Sequence, residues 1–174
     1  EMSLLVDSMQ TTFRTGWSQP VAQRRRALLA LRDLVSDNTE AIIAAAKEDL
    51  VRPRFETLLF ECRLVVVHIE RLLLGLDEWA KPKVNNSSGS SVGFGAEYRT
   101  QKDALGVVWI LAATNFPFMR TIIPLAGALA AGNTAIVQLP RLVNDSNGSE
   151  KINHGNEVSC TIRLLASLLS KHLD

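Results

Sequence analysis

The chain has 174 residues, 47% of them hydrophobic and 21% charged, with a formal net charge of +1. That length can bury a full core within one compact domain, and so even a charge balance gives no electrostatic reason to expect nucleic acid or an anionic membrane as partner. Two cysteines without CxxC spacing and three scattered histidines exclude a disulfide framework and predict no metal site.

Residues 1–82 read as a helical region. Glu1 precedes Met2, so Met2 reads as the native start and Asp174 as the native end. Leu4, Leu5, Met9 and Phe13 recur at helical spacing, and Gly16 is a natural stop. Pro20 opens a second helix with Val21, Leu28, Leu31, Leu34 and Val35 on one side. The run Arg24-Arg25-Arg26 is spread around that helix and reads as a solvated face. Asn38 and Thr39 are expected to cap a third helix, TEAIIAAAKEDL, which Pro53 ends. A longer helix follows from about Phe55 to Ala80, with Leu58, Leu59, Cys62, Val65, Val66, Ile69, Leu72 and Leu73 as its apolar stripe. His68 lies beside that stripe and reads as a packed histidine rather than a ligand.

Residues 83–95, rich in Ser, Gly and Asn, read as a connector. Residues 96–174 then change pattern. AEYRTQKD predicts an exposed strand, and GVVWILAA a fully buried one, apolar on both faces as parallel strands are. PFMRTIIPLAGALAAG predicts a helix, NTAIVQLP a second buried strand, NDSNGSEKINHGNE a polar loop, and VSCTIRLLASLLSKHLD a final amphipathic helix. The fold class is therefore α/β, a helical region followed by a partial, truncated Rossmann-type βαβα unit within one compact domain. No signal peptide and no membrane-spanning apolar run is present in the sequence, which predicts a reducing, cytoplasmic setting.

LGVVWILAATNFPF, followed by PLAGALAAGNTAIV, closely resembles the aldehyde dehydrogenase superfamily, in particular its class 3 or fatty-aldehyde branch. AAAKEDLVRPRFET and LDEWAKP resemble that branch's amino-terminal helices, and the likeness runs through most of residues 10–140. The resemblance implies that Asn115 is the catalytic residue, donating its side-chain N–H to an oxyanion that forms when a thiolate attacks an aldehyde. Phe116 and Pro117 would hold that donor at the head of the next helix, whose first free N–H groups would add positive potential. The bland alternative is that Asn115 only caps the helix. Trp109, Thr114, Phe116 and Phe118 are the residues expected to contact substrate. For Trp17, Trp79 and Trp109, filling the core is as good a reading as lining a cavity.

The sequence departs from the family pattern in several places. The resemblance implies relatives several hundred residues longer, carrying the nucleophilic cysteine, the general-base glutamate, the glycine-rich turn near the nicotinamide and a strand that bridges subunits. None of these is found here. Cys62 and Cys160 do not match the nucleophile's motif and read as small buried apolar residues. Gln138 stands where the family has a ribose-contacting lysine, and Arg141 where it has an acidic residue, so both read as vestiges of a cofactor site and no cofactor is expected. The expectation that follows is a protein without dehydrogenase activity of its own. It would bind a hydrophobic, carbonyl-containing small molecule, and a cofactor-independent isomerisation or pericyclic cyclisation is the chemistry such a site could support. The alternative is a non-functional or partner-dependent fragment of an NAD(P)-dependent fatty aldehyde dehydrogenase. Either way, the uncovered parallel strands predict a homodimer.

Overall fold

The computed structural model describes residues 2–85, 98–140, 142–144, 150–152 and 159–173. Helix α1 (Met2–Arg14) ends in a turn at Gly16, whose φ of 75 is the left-handed conformation glycine tolerates. Helix α2 (Val21–Asp37) turns Leu28, Leu31, Leu34 and Val35 inward, and all four are fully buried. Each such side chain contributes about 1.5–3 kcal/mol. Helix α3 (Thr39–Leu50) buries Ile42 and Ile43. A short turn, α4 (Arg54–Thr57), runs into a π-helical turn, Leu58–Arg63, and on into α5 (Leu64–Ala80). The expected single helix therefore carries a widened turn near its start. The Trp79 indole lies over Gly75 in α5, where a Cβ would come within 2.4 Å of the ring and make it shift.

Strands β3 (Val107–Leu111) and β4 (Thr134–Gln138) pair in parallel, from Val107 opposite Thr134 to Leu111 opposite Gln138. Helix α6 (Pro117–Ala130) connects them, which completes the predicted βαβ unit, and α7 (Ser159–His172) follows. One hydrophobic cluster joins the two halves of the chain: Leu28 and Leu31 from α2, Val65 and Ile69 from α5, Phe118 and Ile122 from α6, and Leu165 from α7.

Five local expectations need correction. Leu4 and Leu5 do not build a buried face, since α1 buries no residue and lies across β3 and β4 as an outer cover. Asn38 and Thr39 do not cap α3. Their side chains turn back onto α2, with Asn38 Nδ2 donating to Leu34 O and Thr39 Oγ1 to Val35 O. Strand β3 is not buried on both faces. Ile110 is, but Trp109 and Leu111 remain 52% and 70% exposed, because among the described residues β3 pairs with β4 alone and α1 covers part of one face. The connector begins later than expected, since Lys83–Asn85 (β1) pairs antiparallel with Tyr98–Thr100 (β2). Residues 86–97 lie outside the described residues. Finally, the stretch read as a polar loop contributes Glu150–Ile152 (β6), antiparallel to Leu142–Asn144 (β5). Val143 and Ile152 are β-branched strand formers whose signal was diluted by polar neighbours.

Candidate functional site

The candidate site is the turn between β3 and α6. Pairing with β4 continues one residue past β3, with Ala112 N–H donating to Gln138 O at 2.9 Å. The chain then bends through Thr114 and Asn115 to Phe116, which takes φ 92 and ψ 58, a left-handed conformation rare for a bulky side chain. Pro117 occupies the first helical position, where its missing N–H costs nothing. Asn115 is exposed, and its side-chain amide makes no hydrogen bond to another described residue. It is therefore not a helix cap. Thr114 is half-buried beside it.

Phe116 is clamped from the helical half of the chain. The Arg52 guanidinium lies 4.2 Å from its ring centre, and Phe60 meets it edge-on with centroids 5.7 Å apart. A cation over an aromatic face contributes about 0.5–2 kcal/mol, and such an aromatic pair about 0.5–1.5. Arg52 is itself fixed by Glu61, Nη1 to Oε1 at 2.9 Å, and lies 3.4 Å from Glu56. The Glu61 side chain is fully buried, and its other oxygen accepts Met119 N–H at 2.9 Å, with Phe118 N–H also donating to the carboxylate. Burial pushes the Glu61 carboxyl above its ordinary value, against the opposing pull of Met119, Arg52 and Phe118. This corrects one expectation: the first N–H groups of α6 do not lend positive potential to Asn115, because a buried carboxylate already takes them.

The remaining predicted residues are dispersed. Phe118 is fully buried in the core. Trp109 projects on the α1 side of the sheet, in a groove with Val6, Gln10, Phe13 and Arg14. Gln138 is exposed at the end of β4, and Arg141 lies outside the described residues. An open cavity of about 560 Å³ between α1, α2, α6, β4 and α7 is lined by Trp17, Leu125, Leu129, Val137 and Leu169, so Trp17 borders a cavity, while Trp109, Thr114, Asn115, Phe116 and Phe118 do not reach it. Cys62 is buried, and its thiol is pushed up to about 11, chiefly by that burial. Among the described residues no cluster of His, Cys, Asp or Glu could hold a metal ion, and no helix is long and apolar enough to cross a membrane.

Sequence reasoning missed Arg52, Phe60 and Glu61. One signal was available: Glu61 lies at helical spacing between Leu58 and Val65, a charge on the apolar stripe. Such a residue needs a buried partner.

A helix-covered parallel βαβ unit with a polar turn at the carboxyl end of its first strand is the opening half of a doubly wound α/β fold. Residues 1–143 match the aldehyde dehydrogenase family, and the chain belongs to that family. It is 34% identical to aldehyde dehydrogenase family 3 member A2 of Pongo abelii, over 99% of this chain and 32% of that protein. Family 3 member H1 of Arabidopsis thaliana is 28% identical over 100% of the chain and 32% of the relative. Among solved structures, substrate-bound Staphylococcus aureus AldH superimposes with a TM-score of 0.84 at 23% identity, over 100% of this chain and 34% of that one. The chain thus spans about a third of the length of the relatives it matches.

Proposed function

We propose that this chain binds an apolar, carbonyl-bearing small molecule without oxidising it, and that Asn115 donates a hydrogen bond to the carbonyl oxygen. The observation that carries this reading is the exposed Asn115 amide, without a hydrogen bond to another described residue, on a turn packed against Arg52 and Phe60 and tied to Glu61. A fixed donor needs little reorganisation when charge develops on an acceptor. Apolar contact would come from Trp109 and Leu111, which share one sheet face and end near this turn. Thr114 would border the carbonyl, while Phe116 and Phe118 set the position of the turn from behind.

Two features support the absence of oxidation. Aldehyde oxidation by this family's route needs a thiolate, and Cys62 is buried with its thiol held protonated near neutral pH. Cys160 sits at the start of α7, where its N–H donates to Asp49 rather than facing the turn. A hydrogen bond to a conjugated carbonyl makes its carbon skeleton more electrophilic. An isomerisation or pericyclic cyclisation then proceeds with no atom or electron gained or lost.

The test is titration of the purified chain with a long-chain α,β-unsaturated aldehyde, followed by tryptophan fluorescence. Asn115→Ala should weaken binding by about three- to tenfold, the value of one hydrogen bond. Unchanged affinity would remove Asn115 from the site. NADH production by the chain alone, given NAD and the saturated aldehyde, would overturn the non-oxidative reading.

A second reading is a chain that completes an aldehyde dehydrogenase only with further polypeptide. It is favoured by the apolar surface around β3, where Leu105 is 96% exposed, and by the share of the relatives that the chain spans. Under that reading NAD should raise the melting temperature, whereas the binding reading expects no shift.

A further inference from the structure

We propose that the cavity between α2, α6, β4 and α7 binds an apolar carboxylate, with its hydrocarbon body against β4 and its head group beside Arg26 and His172. The cavity holds about 560 Å³, within the range of about 300–1,000 Å³ typical of small-molecule sites. Its walls are apolar but unfilled. Leu129, Val137 and Leu169 pack against the core yet stay only half-buried. Opposite them, α2 and α7 present Ala27, Ala30 and Ala166, where larger side chains would close the gap. Protein interiors are ordinarily packed as densely as organic crystals. An apolar gap of this size is suited to a guest molecule.

The polar groups of the lining gather at one end. Ser18 Oγ donates to Gly132 O at 2.8 Å and Arg24 Nη1 to Ala130 O at 3.4 Å, which sets the start of α2 beside the amino end of β4. Gln23 and Arg26, one turn apart on α2, therefore border the cavity at that end. Helix α7 reaches the same end from the other direction. Its first turn packs Ile162 on Leu139, past the carboxyl end of β4, so its last turn brings His172 back to the amino end. Trp17, 51% exposed, stands there too. Among the described residues the lining carries a guanidinium and an imidazole but no carboxylate, which favours an anionic head group. Arg26 lies exposed at the rim, and its fork of N–H donors matches the two oxygens of a carboxylate. Toward the carboxyl end of β4, Ala30, Leu125, Val137 and Leu139 offer no polar side chain. A ligand polar along its whole length would bury groups there without partners.

The Asn115 turn follows the carboxyl end of β3, at the opposite end of the sheet, so this inference does not rest on the ligand proposed there. Isothermal titration calorimetry of the full chain with dodecanoate, and with dodecanol as its uncharged counterpart, tests it. The wild type should bind dodecanoate saturably, one molecule per chain. Arg26→Gln should weaken dodecanoate about three- to tenfold and leave dodecanol within about twofold of wild type. Ala166→Phe, at an exposed position of α7, should occupy the space and weaken both ligands about tenfold or more, with circular dichroism showing the helices intact. A second readout needs no filled cavity: dodecanoate should shift the tryptophan emission of the wild type, and Trp17→Phe should remove most of that shift. A wild type with no saturable uptake would overturn the proposal, as would full affinity in folded Ala166→Phe or a full emission shift in Trp17→Phe. Undiminished dodecanoate binding by Arg26→Gln would overturn the place given to the carboxylate.

Discussion

Glu61 accepts the N–H of Met119 at 2.9 Å, and this contact ties the π turn of one helix to the head of another 58 residues later. A helix is ordinarily capped by the residue just before it. Here Phe116 occupies that place without a side-chain cap, and the acceptor comes from inside the core. The same carboxylate holds Arg52, and Arg52 holds Phe116. The turn bearing Asn115 is therefore fixed by residues remote from it in sequence, through one buried carboxyl group that touches both halves of the chain.

Removing that charge should be severe. Glu61→Ala leaves the Arg52 guanidinium without its buried partner and frees the N–H groups of α6, an arrangement that costs about 3–5 kcal/mol. Glu61→Gln keeps an acceptor and the shape, so its loss should be clearly smaller. Urea denaturation of the two variants checks the order. Equal losses would mean that the packing of the side chain, not its charge, does the holding.

The pH dependence follows from two carboxyl groups shifted in opposite directions. Burial raises the Glu61 carboxyl above its ordinary value of 4.5, so the native chain takes up that proton more readily than the unfolded one. Its stabilising contribution is fully present below the ordinary value and is lost as pH rises through the raised one. Glu40 behaves oppositely. Its hydrogen bonds from Arg54, both 2.6 Å, lower its carboxyl, so its contribution is present above the ordinary value and is lost as pH falls through the lowered one. Glu61→Gln should therefore lose stability more steeply on acidification from about pH 7 to pH 3 than the wild type does. Parallel melting curves for the two proteins would refute the buried-charge account.

What the sequence made legible was the part set by local periodicity. The inward stripes of α2 and α5 are visible as repeats of leucine and valine, and the βαβ unit as two apolar runs around a helix rich in small residues. The exposure of Trp109 and Leu111 was not legible, because an apolar strand reads the same whether or not neighbouring strands cover it. The clamp was missed for a related reason. Arg52, Phe60, Glu61 and Phe116 meet only after the chain folds back, and no short-range pattern records a contact between residues so far apart. Thr39 shows a third limit: its hydroxyl could bond forward or backward along the chain, and it bonds backward to Val35.

Thr121 offers a test in the opposite direction. It is fully buried in α6, and its hydroxyl has no hydrogen-bond partner among the described residues. A buried hydroxyl without a partner keeps its desolvation penalty. Thr121→Val preserves the branched shape and should raise stability by about 1 kcal/mol, read as a higher denaturation midpoint at unchanged slope. A destabilised variant would indicate an ordered water or other partner for that oxygen.

Val51 carries backbone strain that can be relieved without touching the core. It ends α3 at φ 50 and ψ 29, where its N–H donates to Lys47 O and the next N–H, that of Arg52, reaches Ala46 O. This is a left-handed helix terminus, a position that glycine or asparagine usually takes, and a β-branched residue there is strained by about 1–2 kcal/mol. Val51 is 84% exposed, so replacing it forfeits almost no packing. Val51→Asn should therefore stabilise the chain by about 1 kcal/mol, and Val51→Gly by less, since glycine also gains freedom in the unfolded chain. The terminus delivers Arg52 to Glu61 and Phe116, so the Asn variant should also leave the Asn115 amide resonance in its nuclear magnetic resonance spectrum unmoved. If stability rises but that resonance shifts, the strained valine is setting the clamp's geometry as well as ending a helix. If stability falls, the left-handed turn is held by contacts stronger than its strain.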